Sequence, residues 1–512
     1  MHTRLFLALA CVLVILRLPS LAQPMGADQG LYAYVGERIL AGELPYRDAW
    51  DQKPPAIHYT YAALRAVWPH PSVVAAADLV VAILVAALLV ALGTALAGAV
   101  TGRIAALLFL LLSDPGFQRM AGVAVRAQCE TFIAAAMTGA LLLLATRRPA
   151  AWKTVSAGVL LGAAFAFKYN AIVYGAALVA ALWALRRLSA GALAQLAAGA
   201  LVVPGILFAV FAVTGTLGDL YHATIGYNLA YSGETYRGPA DFARYLVTFP
   251  IQHARVDALW LVGGAGCAVL LVAGLWRRER LIPAAWVAAA CLSIAINSSR
   301  HLPQYFVQAL PALALAAAWG ATLLWTRRRW LNVAGLALVA VGVWRVNDFP
   351  KLADNIVFDA QALSGRMDRH EHLARYGDRD RRKYSALAMV ELADFVRATT
   401  AAGDRIYVFG FSGGAYVLAD RASASRFFWS RPVIVDFRSG DSRYGVDGLL
   451  ADLERRPPAL VALQLRDWQP DVQNSAEFFL STPRLARWLH AGYDPADGPD
   501  GFETWIRRGV AR

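Results

Sequence analysis

Residues 24–61 read PMGADQGLYAYVGERILAGELPYRDAWDQKPPAIHYTY. This is the first polar interruption in a chain that otherwise keeps returning to long apolar runs, and it lies between Leu5 to Leu18 and Val73 to Ala97. Leu31, Tyr32, Val35 and Ile39 recur at helical spacing and Gly42 supplies a stop, so a helix is predicted over Gln29 to Leu40 with Asp28 as its N-cap. A carboxylate at a helix N-terminus is favoured as an anion. After Pro45 come Arg47, Asp48, Asp51 and Lys53, and Pro54-Pro55 forces an extended backbone that sets Lys53 on a non-helical segment. On spacing alone two readings stand: Asp28 caps and Lys53 snorkels, or the stretch is an active site at a membrane surface.

Working outward, composition sets the class. The chain has 512 residues, 58% hydrophobic and 17% charged. It is too apolar for a soluble protein of this size and too long for a single anchor, which makes it a polytopic membrane protein in the lipid bilayer. The formal charge of +13 belongs to the Lys and Arg excess of cytoplasmic loops, so no nucleic-acid partner is expected. Cys11, Cys129, Cys267 and Cys291 make no CxxC or Cys/His spacing, and neither a zinc site nor a disulfide framework is expected.

The first run ends near Ser20-Leu21-Ala22, which has the look of a signal-peptidase site; an uncleaved first span is preferred. Ala56 to Trp68 is amphipathic and reads as an interfacial helix with Tyr59, Tyr61 and Trp68 at headgroup level. Ten further spans are predicted: Val73 to Ala97, Ile104 to Leu112, Thr131 to Ala145, Val155 to Phe167, Ala171 to Leu185, Leu193 to Val213, Ala258 to Trp276, Ile282 to Ile296, Tyr305 to Trp325 and Leu331 to Trp344. With a cytoplasmic N-terminus, Arg103, the Arg147-Arg148-Lys153 group, Arg186-Arg187, the Arg277-Arg278-Arg280 group and Arg327 to Arg329 all fall inside. About eleven spans, an odd number, place the tail outside.

From about Asn347 short alternating elements replace the apolar runs. Helices are predicted over Tyr384 to Thr400, Val446 to Glu454 and Ala476 to His490, with strands at Arg405 to Phe409, Leu460 to Leu465 and Phe502 to Arg507, a small soluble α/β domain. Gly410-Phe411-Ser412-Gly413-Gly414 matches G-x-S-x-G after a strand. The domain is too small for a hydrolase sheet, and its only downstream histidine is His490, so a tight Gly-rich turn is the better reading. Glu130, Lys168, Arg300 and His301 stand at span ends on the face that carries Asp28, where charges either tune insertion or build a site. The loop Gly215 to Arg255, with Tyr221, His222, Asn228, Tyr231, Glu234 and Arg237, is either an acceptor surface or a connector.

DQGLYAYVGERILAGELPYRDAWDQKPP (Asp28 to Pro55) resembles the first outer loop of the GT-C superfamily of membrane glycosyltransferases, specifically the bacterial branch related to protein O-mannosyltransferases and lipid A aminoarabinose transferases. Further matches are Arg126 to Phe132, the Lys168 turn, Arg300 to Pro311, Asp404 to Gly410 and Ser425 to Phe427. The family transfers sugars from a polyprenyl-phosphate carrier at the outer face. The resemblance implies Asp28 as the carboxylate that takes the acceptor hydroxyl proton and Glu130 as a second acidic residue of the cavity. It implies Lys53, Arg300, Lys168 and Tyr305 at the donor phosphate, with His301 as a substitute, and the loop residues Tyr32, Asp48 and Asp51 are expected to bind substrate. A base near the nucleophile and cations beside the leaving phosphate are what this chemistry requires.

The pattern departs from the family at Gln29, where relatives often carry Glu, and at Gln304-Tyr305, where they commonly have His-Tyr. Relatives differ over metal use, so the metal is unassigned and a divalent cation stays open. The expected architecture is a mostly α, polytopic GT-C domain over residues 1–346, with its first outer loop at 22–71, followed by a periplasmic α/β domain over 347–512. The expected function is inverting transfer of a sugar from a polyprenyl-phosphate donor to a lipid, glycan or protein acceptor at the periplasmic face of the bacterial inner membrane. The rivals are a secondary transporter, which usually shows two related halves absent here, and a membrane scaffold with a binding tail.

Overall fold

The computed structural model describes residues 2–148, 150–232, 235–377, 384–436, 438–467 and 474–509, with the side chains of 230–232 left aside. It divides into two compact units. The first comprises Met1–Leu21, Ala75–Val210 and Ser232–Ala360, and the second Ala22–Val74, Phe211–Tyr231 and Gln361–Arg512.

The first unit is helical. Among the described residues of the chain, seven helices are long and apolar enough to cross a membrane: Thr3–Ala22, Val73–Ala97, Ala99–Phe117, Ala190–Val213, Arg278–Asn297, Pro303–Leu324 and Arg329–Val346. Two bent pairs, Arg119–Val125 with Cys129–Ala145 and Pro239–His253 with Ala258–Gly274, bring the number to nine. The remaining two predicted spans form the apolar helices Ala151–Phe167 and Tyr169–Ala184, shorter than the ~20 residues a straight crossing takes. All eleven apolar runs are therefore helical, but fewer are full-length spans.

Small residues let these helices approach closely, the usual solution where apolar area alone gives no preference between helix and lipid. A Cβ on Gly102 would sit 2.3 Å from the Val90 carbonyl, and one on Gly158 2.2 Å from that of Leu196. Helix direction sorts the charges. Glu130 and Asn297 meet Lys168 at one end, whereas the Arg187 guanidinium reaches the Leu144 carbonyl and the Arg278 guanidinium lies over Trp183 at the other. Arg103 donates to Thr3, and the neighbouring Thr101 meets Thr322 near the end of the helix that starts beside Tyr305. The five basic clusters thus share the end opposite Glu130 and Lys168.

The helix Phe349–Leu363 continues this unit: the Asn355 amide donates to the Gly116 carbonyl at 2.7 Å. Composition sets a border at 346/347, but contacts carry the unit through Ala360 because one face of this amphipathic helix is occupied.

The second unit joins residues 22–74 to the C-terminal segment. Its sheet has the order β2-β1-β3-β5-β4, with β1 Arg405–Phe409, β2 Ala422–Ser423, β3 Leu460–Gln464, β4 Tyr493–Ala496 and β5 Phe502–Arg507. β1 runs parallel to β2 and β3, and β5 antiparallel to β3 and β4. Leu460–Gln464 is buried throughout, as a central strand covered on both faces must be. The predicted helix Ala476 to His490 divides into Ser475–Ser481 and Pro483–Gly492, since Pro483 has no N–H to continue the first but suits the opening turn of the second. The two-residue β2 and four-residue β4 carry no alternation long enough to read from sequence.

Candidate active site

In the second unit the helix runs Ala27–Leu40, with extended Gly26 as its N-cap. Asp28 therefore stands within the first turn and not at the cap itself. The helix is fixed by a close approach of backbones. A Cβ on Gly30 would lie 2.6 Å from the Gly414 nitrogen, and one on Gly413 2.6 Å from Leu31 Cδ2. Tyr34 packs on Tyr416 and Phe428, with ring centroids 4.8 and 4.5 Å away, and its hydroxyl accepts from the Ser423 N–H at 2.8 Å. Further along, the Trp50 N–H donates to the Arg426 carbonyl at 2.9 Å, and Trp429 Nε1 donates to the Trp50 carbonyl at 3.2 Å. The G-x-S-x-G glycines serve this packing, while Ser412 donates to Gln464 Oε1 at 3.0 Å.

The segment bearing Lys53 is held from within. Asp51 and His58 are almost fully buried, and Asp51 Oδ2 lies 3.3 Å from His58 Nε2. The rings of Tyr32 and Tyr46 stand edge-on to His58, with centroids 6.0 and 5.9 Å away. The Tyr46 hydroxyl donates to the Lys53 carbonyl at 2.8 Å, the Gln52 N–H to Asp51 Oδ1 at 2.7 Å, and the Asn228 amide to the Gln52 carbonyl at 2.8 Å. Burial pushes the Asp51 carboxyl up to about 6; the Lys53 charge opposes this and the Asp28 charge adds to it. Asp28, Asp51 and Lys53 thus share one electrostatic neighbourhood. Burial also pulls the His58 imidazole down to about 3, so the pair at neutral pH is a carboxylate against a neutral ring.

The helix Ala56–Val67 differs from its expected interfacial setting. Tyr61 is fully buried, a Cβ on Gly36 would meet the Ala62 nitrogen at 2.8 Å, and Arg65 pairs with Glu37. Its moment faces the Asp28 helix. Tyr32 and Asp51, expected to bind substrate, are each 1% exposed and turned toward His58. Asp48 accepts from the Leu44 N–H at 2.9 Å and closes the turn before Trp50. Of the long loop, Glu234 and the side chain of Tyr231 lie outside the described residues.

In the first unit, Arg126 Nη1 lies 3.3 Å from Asp78 Oδ2, and the Ala127 N–H donates to the same carboxylate at 3.0 Å. These contacts fix the start of the helix Cys129–Ala145, with Glu130 in its first turn and buried. Lys168, extended between two helices, puts Nζ 2.5 Å from Glu130 Oε1, 3.4 Å from Asn297 Oδ1 and 4.5 Å from the centre of the Tyr305 ring. Asn170, Ser293, Gln308 and Tyr174 continue a polar network below it: the Asn170 amide donates to the Ser293 carbonyl at 2.7 Å, the Ser293 hydroxyl to Gln308 Oε1 at 2.8 Å, and the Tyr174 hydroxyl to the same oxygen at 3.1 Å. Arg300 is half-buried after Ser298, whose hydroxyl accepts its N–H at 2.9 Å. His301, exposed and at φ 53°, faces the Tyr245 ring at 5.1 Å.

Glu130, Lys168 and Tyr305 are thus brought together, as are Asp28, Asp51 and Lys53. His58 was not foreseen, since a lone histidine on an amphipathic helix gives no signal of a buried partner seven residues away. Among the described residues no three His, Cys, Asp or Glu side chains gather where they could hold a metal ion.

Comparison with known proteins settles the fold. The crystal structure of ArnT from Cupriavidus metallidurans bound to undecaprenyl phosphate matches with a TM-score of 0.62 at 16% identity, over 99% of this chain and 98% of that one. The chain has the fold of this ArnT. The apo form of the same ArnT matches over 98% and 97% of the two chains, also at 0.62 and 16% identity. The Archaeoglobus fulgidus oligosaccharyltransferase, tethered with an acceptor peptide, matches more distantly: TM-score 0.52, 12% identity, 99% of this chain and 74% of that one. No protein-family model matches the sequence, and no curated protein matches it.

Proposed function

We infer that this protein is a glycosyltransferase that moves a sugar from a polyprenyl-phosphate donor to a lipid, glycan or protein acceptor, with inversion, at the periplasmic face of the bacterial inner membrane. The observation that carries the reading is end-to-end agreement with the fold of ArnT, a protein solved with undecaprenyl phosphate bound. The orientation rests on the gathering of five basic clusters at one end of the first unit, with the N-terminus cytoplasmic.

In this reading Asp28 takes the proton of the acceptor hydroxyl as its oxygen attacks the anomeric carbon. The bond from that carbon to the phosphate oxygen breaks, and the polyprenyl phosphate leaves with the electron pair. Positioned general bases contribute about 10²–10⁴-fold in such steps. Lys53, Arg300 and His301 stabilise charge building on the phosphate. Lys168 is engaged by Glu130, so its part is to hold that carboxylate, Asn297 and the Tyr305 ring in place. Tyr32 and Asp51 support the Lys53 segment from beneath, and Asp48 shapes the turn.

The test is transfer of radiolabelled sugar from a panel of polyprenyl-phosphate hexose and pentose donors to a membrane lipid and glycoprotein extract. Wild type transfers label from at least one donor, and Asp28→Asn and Lys53→Ala, at matched expression, do not. Equal transfer by Asp28→Asn would reduce that residue to a helix-end charge and overturn the assignment.

A further inference from the structure

At the end of the first unit away from Glu130 and Lys168, a cavity of 290 Å³ opens between four helices, Cys129–Ala145, Ala151–Phe167, Tyr174–Ala184 and Ala190–Val213. The helix Cys129–Ala145 has 17 residues, about 25 Å at 1.5 Å per residue, so the cavity is a membrane thickness from the Glu130–Lys168 pair. Two cations line it. Lys153 Nζ donates to Thr146 Oγ1 and to the Arg148 carbonyl, both at 3.0 Å, and Arg187 Nη1 donates to the Leu144 carbonyl at 2.7 Å. These neutral acceptors orient the two groups without cancelling their charge. No acidic residue occurs between Glu130 and Asp219 in the sequence, so none of the four helices carries a carboxylate that does so beyond Glu130, which is at the far end.

The rest of the lining suits an anion. Thr154, Ser189 and Gln195 present hydroxyls and an amide. The first turns of Ala151–Phe167 and Ala190–Val213 also line it, and their positive dipole ends favour an anion there, although the Ala192 N–H is already capped by the Ser189 hydroxyl at 3.1 Å. Below the cavity the surface is apolar and exposed. The helix Ala190–Val213 is only 17% buried over its apolar window, and Leu193, Leu201, Ile206 and Phe208 face outward along it. Trp152, with Lys153 Nζ 5.6 Å from its ring centre, stands at the rim as aromatic residues do at headgroup level.

We propose that this cavity binds the phosphate of an anionic phospholipid, with Lys153 and Arg187 as its cations and the acyl chains lying along Ala190–Val213. Basic pockets between membrane helices recognise lipid phosphates in this manner. The site is separate from the reaction and does not depend on which sugar is moved, or on whether one is. A soluble phosphate shares the headgroup chemistry but not the chains, and the exposed apolar face favours the lipid.

The experiment uses the purified full-length protein, delipidated in a neutral detergent and titrated with phosphatidylglycerol, phosphatidylcholine or inorganic phosphate. Thermal midpoint and lipid retention by native mass spectrometry are read together. Phosphatidylglycerol raises the midpoint by several degrees and one molecule stays bound; phosphatidylcholine does neither. Lys153→Gln/Arg187→Gln weakens the phosphatidylglycerol response at least tenfold. The charge-conserving Lys153→Arg/Arg187→Lys retains it, as does Arg327→Gln/Arg328→Gln at the same end of the bundle, which guards against reading misfolding or general attraction as site loss. An unchanged response in Lys153→Gln/Arg187→Gln, or an equal response to both lipids, overturns the proposal. A full shift with inorganic phosphate alone overturns the lipid assignment.

Discussion

Glu130 and Asp51 are both carboxylates with 1% exposure, one in each unit, and they face different partners. Glu130 faces the Lys168 side chain, whose Nζ also lies over Tyr305. Asp51 faces His58, whose imidazole burial holds neutral and whose surroundings are aromatic rings. The first is a buried ion pair in which each charge offsets the other. The second is a close contact of a carboxylate with a neutral ring beneath the Lys53 segment, in which Asp51 Oδ1 accepts from the Gln52 N–H and the charge is lost by taking one proton. Burial alone therefore does not say what a carboxylate does; the partner decides.

The largest expected effect breaks the first pair. Glu130→Ala leaves the Lys168 ammonium buried without its carboxylate and should cost about 3–5 kcal/mol of stability, read as unfolding in detergent. Glu130→Ala/Lys168→Ala should cost clearly less than the sum of the single changes, because neither charge is then stranded. Additive losses would mean that the contact is incidental.

Next comes the frame that holds the second pair. Gly30→Ala drives a methyl to within 2.6 Å of the Gly414 backbone, and overpacking of this kind costs about 1–3 kcal/mol. Limited proteolysis should cut residues 22–74 faster in this variant than in wild type. The same rate in Gly205→Ala, where nothing stands within 4 Å, serves as control, and no change in Gly30→Ala would contradict the close approach.

The smallest effect sharpens the second pair through pH. In the folded protein the Asp51 carboxyl titrates near 6, above its ordinary range, so the native state holds a proton there that the unfolded state has lost. His58, near 3, lacks a proton that the unfolded ring holds below about 6.5. Between about pH 4 and 6 the two cancel, and the pair gives no slope. Asp51→Asn removes the first term, so its stability relative to wild type should rise with pH across that window. His58→Gln removes the second, so its relative stability should fall with pH. Each slope is at most about 1.4 kcal/mol per pH unit. Thermal midpoints at pH 4.5 and 6 decide it, and equal shifts for both variants would contradict the pairing.

Much of this was legible in the sequence. Among the described residues, the apolar runs located each of the seven helices long and apolar enough to cross a membrane, because a span must satisfy its own backbone and so declares itself locally; the helix Pro239–His253, read as part of a loop, did not. β1, β3 and β5 emerged from short apolar runs, and one compact motif singled out Asp28 and Lys53 as the candidates whose roles the transfer assay tests. What stayed hidden depends on distant partners. Nothing near Gly30 announces Gly414, and nothing near Asp51 announces that His58 will turn inward. The glycines after β1 mimic a nucleophile elbow because both uses need a backbone without side chains at a strand end. In the structure they admit the Asp28 helix.

The measurement that tests the account most directly is the kinetics of sugar transfer by Asp28→Asn, with its thermal midpoint taken alongside. Asp28 lies in the first turn of its helix and not at the cap, so the variant should keep the wild-type midpoint within a degree or two. Its kcat should fall by about 10²–10⁴-fold while the apparent affinity for the polyprenyl-phosphate donor holds. A kcat within a few-fold of wild type, at an unchanged midpoint, would show that the proton goes elsewhere and that the loop is not where the chemistry occurs.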